Sequence, residues 1–181
     1  FNISNYDNDT SRYENKIIGL NVSTGFEWFE NIDLSYGIAV DNDDLTADSD
    51  ASKLVKSRDG EYFTNKFFYT VKKDKRNRKI KTTDGHTLGF SQTIAYLGSD
   101  IPYLSNAFFG SFYNEFNESF VGTISYKLKS INSFESSKDI KLSDRLFLSE
   151  SELRGFKFRS YGPAVDNDFI GGNYAYATTF S

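Results

Sequence analysis

Runs of strict apolar/polar alternation recur along the whole chain with turn residues between them, and no other feature restricts the possible folds as much. At 33–41, Leu34, Tyr36, Ile38 and Val40 share one face while Asp33, Ser35, Gly37, Ala39 and Asp41 share the other, which is the period of a strand with one greasy and one wet side. At 61–72, Phe63, Phe67, Tyr69 and Val71 alternate with Thr64, Lys66, Thr70 and Lys72, with Asn65 and Phe68 out of phase. At 120–129, Phe120, Ile124, Tyr126 and Leu128 oppose Val121, Thr123, Ser125, Lys127 and Lys129. Fainter runs at 1–6, 15–28 (Ile18, Leu20, Val22), 87–98 (Leu88, Phe90, Ile94, Tyr96), 104–115 and 172–181 bring the expected strands to eight.

Most of these runs exceed the roughly five or six residues usual in soluble strands, and at about 3.3 Å per residue they are long enough to cross an apolar band of about 25 Å when tilted. The hydrophobic fraction is 38% with 18 Phe and 12 Tyr, below the roughly 45–50% of ordinary globular domains. A packed soluble core would be poorly filled, whereas a barrel with a polar lumen has no such shortage. No run approaches the roughly 20 apolar residues of a membrane helix. The expected class is therefore all-β: an antiparallel up-and-down transmembrane β-barrel, incomplete, forming an open curved sheet. Residues 1–181 read as one partial barrel domain, a fragment that begins at Phe1 and ends at Ser181 within a strand.

The connections support this. In order they are a polar loop at 7–14, a tight turn at 29–32, a long acidic loop at 42–60, a basic one at 74–86, a short one at 99–103, a tight turn at 116–119 and a very long loop at 130–171. If 29–32 is periplasmic, so are 74–86 and 116–119, and the two longest loops fall together on the external side; the short 99–103 connection is the poorest fit. Trp28, with Phe26 and Phe29 at a strand end, suits an interfacial aromatic girdle. The long loop carries Phe147, Phe156 and Phe158 among regularly placed glycines, a content that disorder does not predict.

Other chemistry finds little support. A net charge of −4 gives no basic footprint for nucleic acid. His86 is the only histidine and there is no cysteine, so neither a zinc site nor a catalytic triad is expected. Asp41, Asp43 and Asp44 lack the spacing of a calcium loop and are expected to be solvated external charge. Asn21-Val22-Ser23 and Asn117-Glu118-Ser119 match a glycosylation acceptor pattern, the first of them in mid-strand. No enzyme activity, metal or cofactor is expected.

Three groups of residues in the long loop carry a resemblance: Leu153-Arg154-Gly155-Phe156, Tyr161-Gly162-Pro163 and Gly171-Gly172-Asn173. With Asp144-Arg145-Leu146-Phe147 upstream, they resemble the sixth extracellular loop and following strand of the BamA family of outer-membrane assembly factors, where a [V/L]-R-G-[F/Y] motif lies on a loop that folds into the barrel lumen. Asp74-Lys75-Arg76-Asn77 and Thr83-Asp84-Gly85 resemble a periplasmic turn segment of the same barrels. The resemblance implies strands five to twelve of sixteen, an outer-membrane location in a Gram-negative bacterium, and work in folding and inserting β-barrel proteins. It also implies partners: the lipid bilayer, unfolded barrel substrates, and assembly-complex lipoproteins reached through POTRA domains outside this chain. Arg154 would lock the loop to the lumen wall, a guanidinium pairing bidentately with carboxylates, while Gly155 supplies an unusual backbone conformation and Phe156 an apolar anchor. Ser149-Glu150-Ser151-Glu152 replaces the glycine-rich stretch that often precedes the motif, and the family's acidic receivers for the arginine lie beyond Ser181. A TamA-like translocation factor or two-partner-secretion transporter, a passive porin and a soluble β-sandwich remain as alternatives.

Overall fold

The computed structural model describes residues 1–118 and 120–181; Ser119, in the expected tight turn and the second glycosylation pattern, lies outside the described residues. Eight strands form one antiparallel sheet in chain order, an up-and-down meander. They are β1 (Asn2–Asn8), β2 (Tyr13–Phe29), β3 (Ile32–Ala47), β4 (Gly60–Asp74), β5 (Gly85–Ala95), β6 (Tyr103–Asn117), β7 (Phe120–Ser133) and, after the long loop, β10 (Tyr174–Phe180). β1 and β10 are the two edges of this sheet, which is open as expected.

The register shows why the alternation exists. Directly paired residues point to the same face, so the pairings Phe26, Leu34, Val71, Phe90, Phe108, Leu128 and Tyr176 trace one apolar row across seven strands. One residue further along, Gly25, Ser35, Thr70, Ser91, Ala107, Lys129 and Ala175 form a small and polar row on the opposite face. The apolar face is the exposed one: Val22 is 61% and Ile38 57% exposed. Large side chains look outward and small ones inward, the reverse of a water-soluble sheet and the arrangement of a wall facing lipid. Of the two residues out of phase in β4, Phe68 stands on the inward face opposite Gly37, and Asn65 on the outward face uses its amide to bond the Leu97 carbonyl at 3.2 Å.

The strands run longer than their sequence runs suggest, 17 residues in β2 and 16 in β3. The acidic stretch expected to open a loop at 42 is a continuation of β3 to Ala47, because Asp43 and Leu45 keep the inward phase and are both buried there. The connection that remains, 48–59, carries a short helix α1 (Lys53–Lys56) capped by the Ser52 hydroxyl. β1 and β2 likewise extend into the expected 7–14 loop, and β7 reaches Ser133. His86, expected at a loop end, is the second residue of β5, with its ring 5.8 Å from that of Phe112. Turns 30–31, 75–84 and the one after Asn117 lie at one end of the sheet, and the connections 9–12, 48–59, 96–102 and 134–173 at the other, the grouping the sequence predicts.

β-bulges interrupt pairing at the turn end of β2, between Glu27 and Phe29, and of β6, between Glu115 and Asn117. Each places an aromatic, Trp28 or Phe116, at the irregular position. With the exposed Phe26, Phe29 and Phe120 they form an aromatic border at that end, where an interfacial girdle belongs.

Candidate functional site

Residues 134–173 fold back onto the inward face of the sheet. The segment 139–145 enters first, and its own alternation decides its contacts. Ile140 packs with Ala95, Tyr103 and Ile131 of β5, β6 and β7. Leu142 joins Tyr13, Leu45, Ala51, Val55 and Ile170, a cluster built from β2, β3, the α1 connection and the far end of the same loop. Between them Lys141 points into the wall with only 4% of its side chain exposed. Its ammonium lies 3.2 Å from Asp43 Oδ2, 3.4 Å from Asp144 Oδ2 and 3.4 Å from the Thr64 hydroxyl. Asp43, fully buried, also accepts from Asn15 Nδ2 at 3.1 Å and from the Ser143 hydroxyl. The expectation of a solvated Asp43 is thus overturned: a carboxylate can be buried because a cation and two neutral donors replace its water. Asp41 pairs with Lys66 at 2.5 Å, and of the three acids only Asp44 is exposed. Burial works against the charged form of Lys141, but Asp144 and Asp43 outweigh it and hold its pKa above the ordinary lysine value.

The far end of the loop has a second anchor. A two-strand hairpin, β8 (Ala164–Val165) with β9 (Asp168–Phe169), delivers the buried Asp168 against the Ser52 amide at 2.6 Å and Arg12 Nε at 3.2 Å. The Ser11 hydroxyl donates to the Phe169 carbonyl at 2.6 Å. The 9–12 and 48–59 connections and the hairpin therefore form one cap. Reciprocal backbone bonds between Leu146 and Gly172, at 2.8 and 3.0 Å, draw the two ends of the loop together.

Beyond this neck lies the Leu153-Arg154-Gly155-Phe156 turn. Arg154 is exposed and has no hydrogen bond or ion pair among the described residues. Gly155 has φ +87° with open space where a Cβ would stand, so its backbone conformation, not a close contact, calls for glycine. Phe156 packs edge-on against Tyr161 with ring centroids 6.1 Å apart, and the Tyr161 hydroxyl donates to the Leu148 carbonyl. Gly162 and Gly171 also have positive φ; Pro163 accepts at its carbonyl from the Ile170 amide, and Gly172 and Asn173 precede β10, with the Asn173 carbonyl accepting from Ile131.

Two side chains with no role assigned from the sequence, Glu152 and Arg159, tie this distal part to the wall. Glu152 Oε1 is 3.0 Å from Lys127 and 3.9 Å from Lys129 of β7. Burial pushes its carboxyl up, but the Ser149 amide and the lysines hold its pKa below the ordinary glutamate range. The guanidinium of Arg159 lies over the rings of Phe147, Tyr13 and Phe158 at 4.8, 5.5 and 5.6 Å, and donates to the Tyr13 hydroxyl. In the distal part of the loop the packed arginine is thus Arg159 and not Arg154.

At the opposite end the second sequence segment builds a rigid hairpin base. Arg76 holds Asp74 through two bonds of 2.8 and 2.6 Å, which raises the pKa of the guanidinium further. The Asn77 side chain accepts from the Thr83 and Asp84 amides at 3.2 Å each and donates to the Thr83 hydroxyl at 2.7 Å. Gly85, at φ +103°, lies so close to Lys75 that a Cβ would strike its carbonyl oxygen.

An open sheet with an apolar outer face, a polar inner face and a long loop lodged against that inner face is the wall of a membrane-spanning β-barrel. The whole chain, residues 1–181, matches the Omp85 superfamily domain, and it belongs to that superfamily of outer-membrane barrels. It is 25% identical over 166 residues to "Outer membrane protein assembly factor BamA" of Neorickettsia risticii (strain Illinois), covering 90% of this chain and 22% of that protein. It superposes with a TM-score of 0.84 on the crystal structure of BamA from Haemophilus ducreyi lacking POTRA domains 1–3, at 22% identity, covering 98% of this chain and 40% of the solved one. The chain thus spans well under half the length of these relatives.

Proposed function

We propose that this chain is half of the barrel wall of an outer-membrane protein assembly factor, one that folds and inserts β-barrel proteins into the outer membrane. The observation that carries the reading is the loop lodged on the inward face of a lipid-facing sheet, in a chain whose full length matches the Omp85 domain. The relative's name, an assembly factor, favours assembly over secretion or passive conductance. The wall corresponds to strands five to twelve of sixteen and forms one partial domain. Its partners are the bilayer, unfolded barrel substrates that add strands by β-augmentation at a seam elsewhere in the barrel, and lipoproteins that dock on periplasmic domains. No bond chemistry is required of it.

In this reading Arg154 pairs with acidic groups on the part of the barrel beyond Ser181, with Gly155 shaping the turn, Phe156 seating on Tyr161, and the Asp74–Gly85 segment fixing a periplasmic turn. Arg154→Ala in the full-length protein is expected to lower outer-membrane protein assembly while leaving the barrel folded, read as substrate insertion and as heat-modifiable migration on gels. Unchanged insertion with Ala at this position would overturn the role of Arg154.

A further inference from the structure

The 75–84 hairpin bears a charge concentration that its base does not use. Residues 72–81 hold seven of the chain's 21 Lys and Arg, with Asp74 the one acid among them. Asp74 is consumed by Arg76, with Lys72 3.6 Å away. Lys75, Arg78, Lys79 and Lys81 remain exposed, with no ion pair among the described residues. Between them Ile80 is 83% exposed, an apolar side chain held out in solvent by a scaffold rigid enough to keep it there: Arg76 Nη1 donates to the Lys79 carbonyl at 3.4 Å and the Thr82 hydroxyl to that of Arg78 at 2.7 Å.

The surroundings fix what such a tip meets. It rises from the end of the sheet bordered by Trp28, Phe29, Phe116 and Phe120, the level of the lipid headgroups. Lys73, paired with Ile32 and Leu88, stands on the lipid-facing side of that end, where a lysine extends its ammonium toward the headgroups. The other acids of this end, Glu27, Glu30, Asp33, Glu115 and Glu118, lie on the two shorter hairpins or the strand ends beside them, and within the 75–84 connection the only acid is Asp84, at its base.

We propose that the Arg78-Lys79-Ile80-Lys81 tip is a docking surface for anionic phospholipid headgroups of the leaflet at the turn end, with Ile80 entering the interface between the bound phosphates. Cations beside an anionic bilayer are each worth roughly five-fold in local affinity, and an apolar residue among them favours a membrane over an acidic protein face.

The test uses the full-length protein in lipid nanodiscs, with an environment-sensitive fluorophore on Ile80→Cys. Spin-labelled phosphatidylglycerol should quench it several-fold more than spin-labelled phosphatidylcholine at equal mole fraction. That preference should vanish in high salt and in the Arg78→Gln/Lys79→Gln/Lys81→Gln variant, whose folding is checked by heat-modifiability and whose substrate insertion is measured separately. Equal quenching by the two lipids, or a preference that survives the triple substitution, would overturn the proposal. So would a fluorophore that neither lipid quenches and that only an added acidic periplasmic protein shifts, which would assign the tip to a protein partner.

Discussion

Replacing Lys141 by methionine keeps the length and apolar stem of the side chain and removes only its charge. The structure then leaves Asp43, fully buried, and the half-buried Asp144 facing a cavity without a cation. Removing one member of a buried pair costs about 3–5 kcal/mol. Asp43 would keep its bonds from Asn15 and Ser143, which places the expected cost near the lower bound, about 3 kcal/mol or roughly a hundred-fold in the docking equilibrium of the loop. The loss is local, because the ladder between the eight strands does not pass through Lys141. The Leu146 and Gly172 amides, which bond each other's carbonyls only when the loop is closed, are the reporters. Hydrogen exchange at both should accelerate by about two orders of magnitude, while the amides of β4 to β6 stay protected. In the Lys141→Met/Asp43→Asn double variant the buried carboxylate is gone, and part of the protection should return. Unchanged exchange at Leu146 and Gly172 in the single variant, or a double variant as open as the sum of the two singles, would refute the buried ion pair as the loop's anchor.

Facing can be tested one residue apart: Phe90→Arg, on the outward row, should destabilise the membrane-folded barrel by about 2–4 kcal/mol, whereas Ser91→Arg, on the inward row, should leave its denaturant midpoint much closer to the unsubstituted protein; equal effects would mean that the faces are misassigned. The Glu152 contact should respond to acid. Its folded pKa is lowered, so its contribution to docking is present above the ordinary glutamate value of about 4.3 and is lost as pH falls through the folded value. Proteolytic nicking between 149 and 162 should therefore stay constant from neutral pH down to about pH 5 and rise only below the ordinary glutamate value, and Glu152→Gln should show the raised nicking at every pH.

The wall was legible in the sequence because a membrane barrel writes its two faces directly into alternate residues. Leu34, Tyr36, Ile38 and Val40 needed no partner information to be assigned to one side. What was misread needed long-range information. Asp43 looks like loop charge until Lys141, 98 positions away, is brought against it, and no local pattern says which acid in Asp-Asn-Asp-Asp will turn inward beyond the phase of the strand itself. That phase was the available signal: Asp41, Asp43 and Leu45 continue the inward positions of Gly37 and Ala39. For Lys141 the signal was Ile140 and Leu142 on either side of it, alternation persisting inside a supposed loop. Arg159 offered less, since its stacking depends on Phe147 and Tyr13 meeting from opposite ends of the chain.

The anchors also explain why the motif arginine stands free. Lys141 and Asp168 fix the two roots of the loop, and the Leu146–Gly172 bridge closes them into a neck. Both anchors spend their charge on residues of this sheet and its connections, on β3, β4 and the 9–12 and 48–59 segments. The part beyond the neck is tied to the wall by Glu152 on β7 and by Arg159 at Tyr13, and between those two ties the Leu153–Phe156 turn projects with Arg154 uncommitted. Asp43, Asp168 and Glu152 are each already matched to a cation, Lys141, Arg12 and Lys127, so none of them is left to receive it. The guanidinium of Arg154 is exposed and uncommitted among the described residues, which leaves it open to the pairing proposed above. Root substitutions such as Lys141→Met should then undock the whole loop, whereas Arg154→Ala should leave Leu146 and Gly172 protected and impair only what the distal turn does.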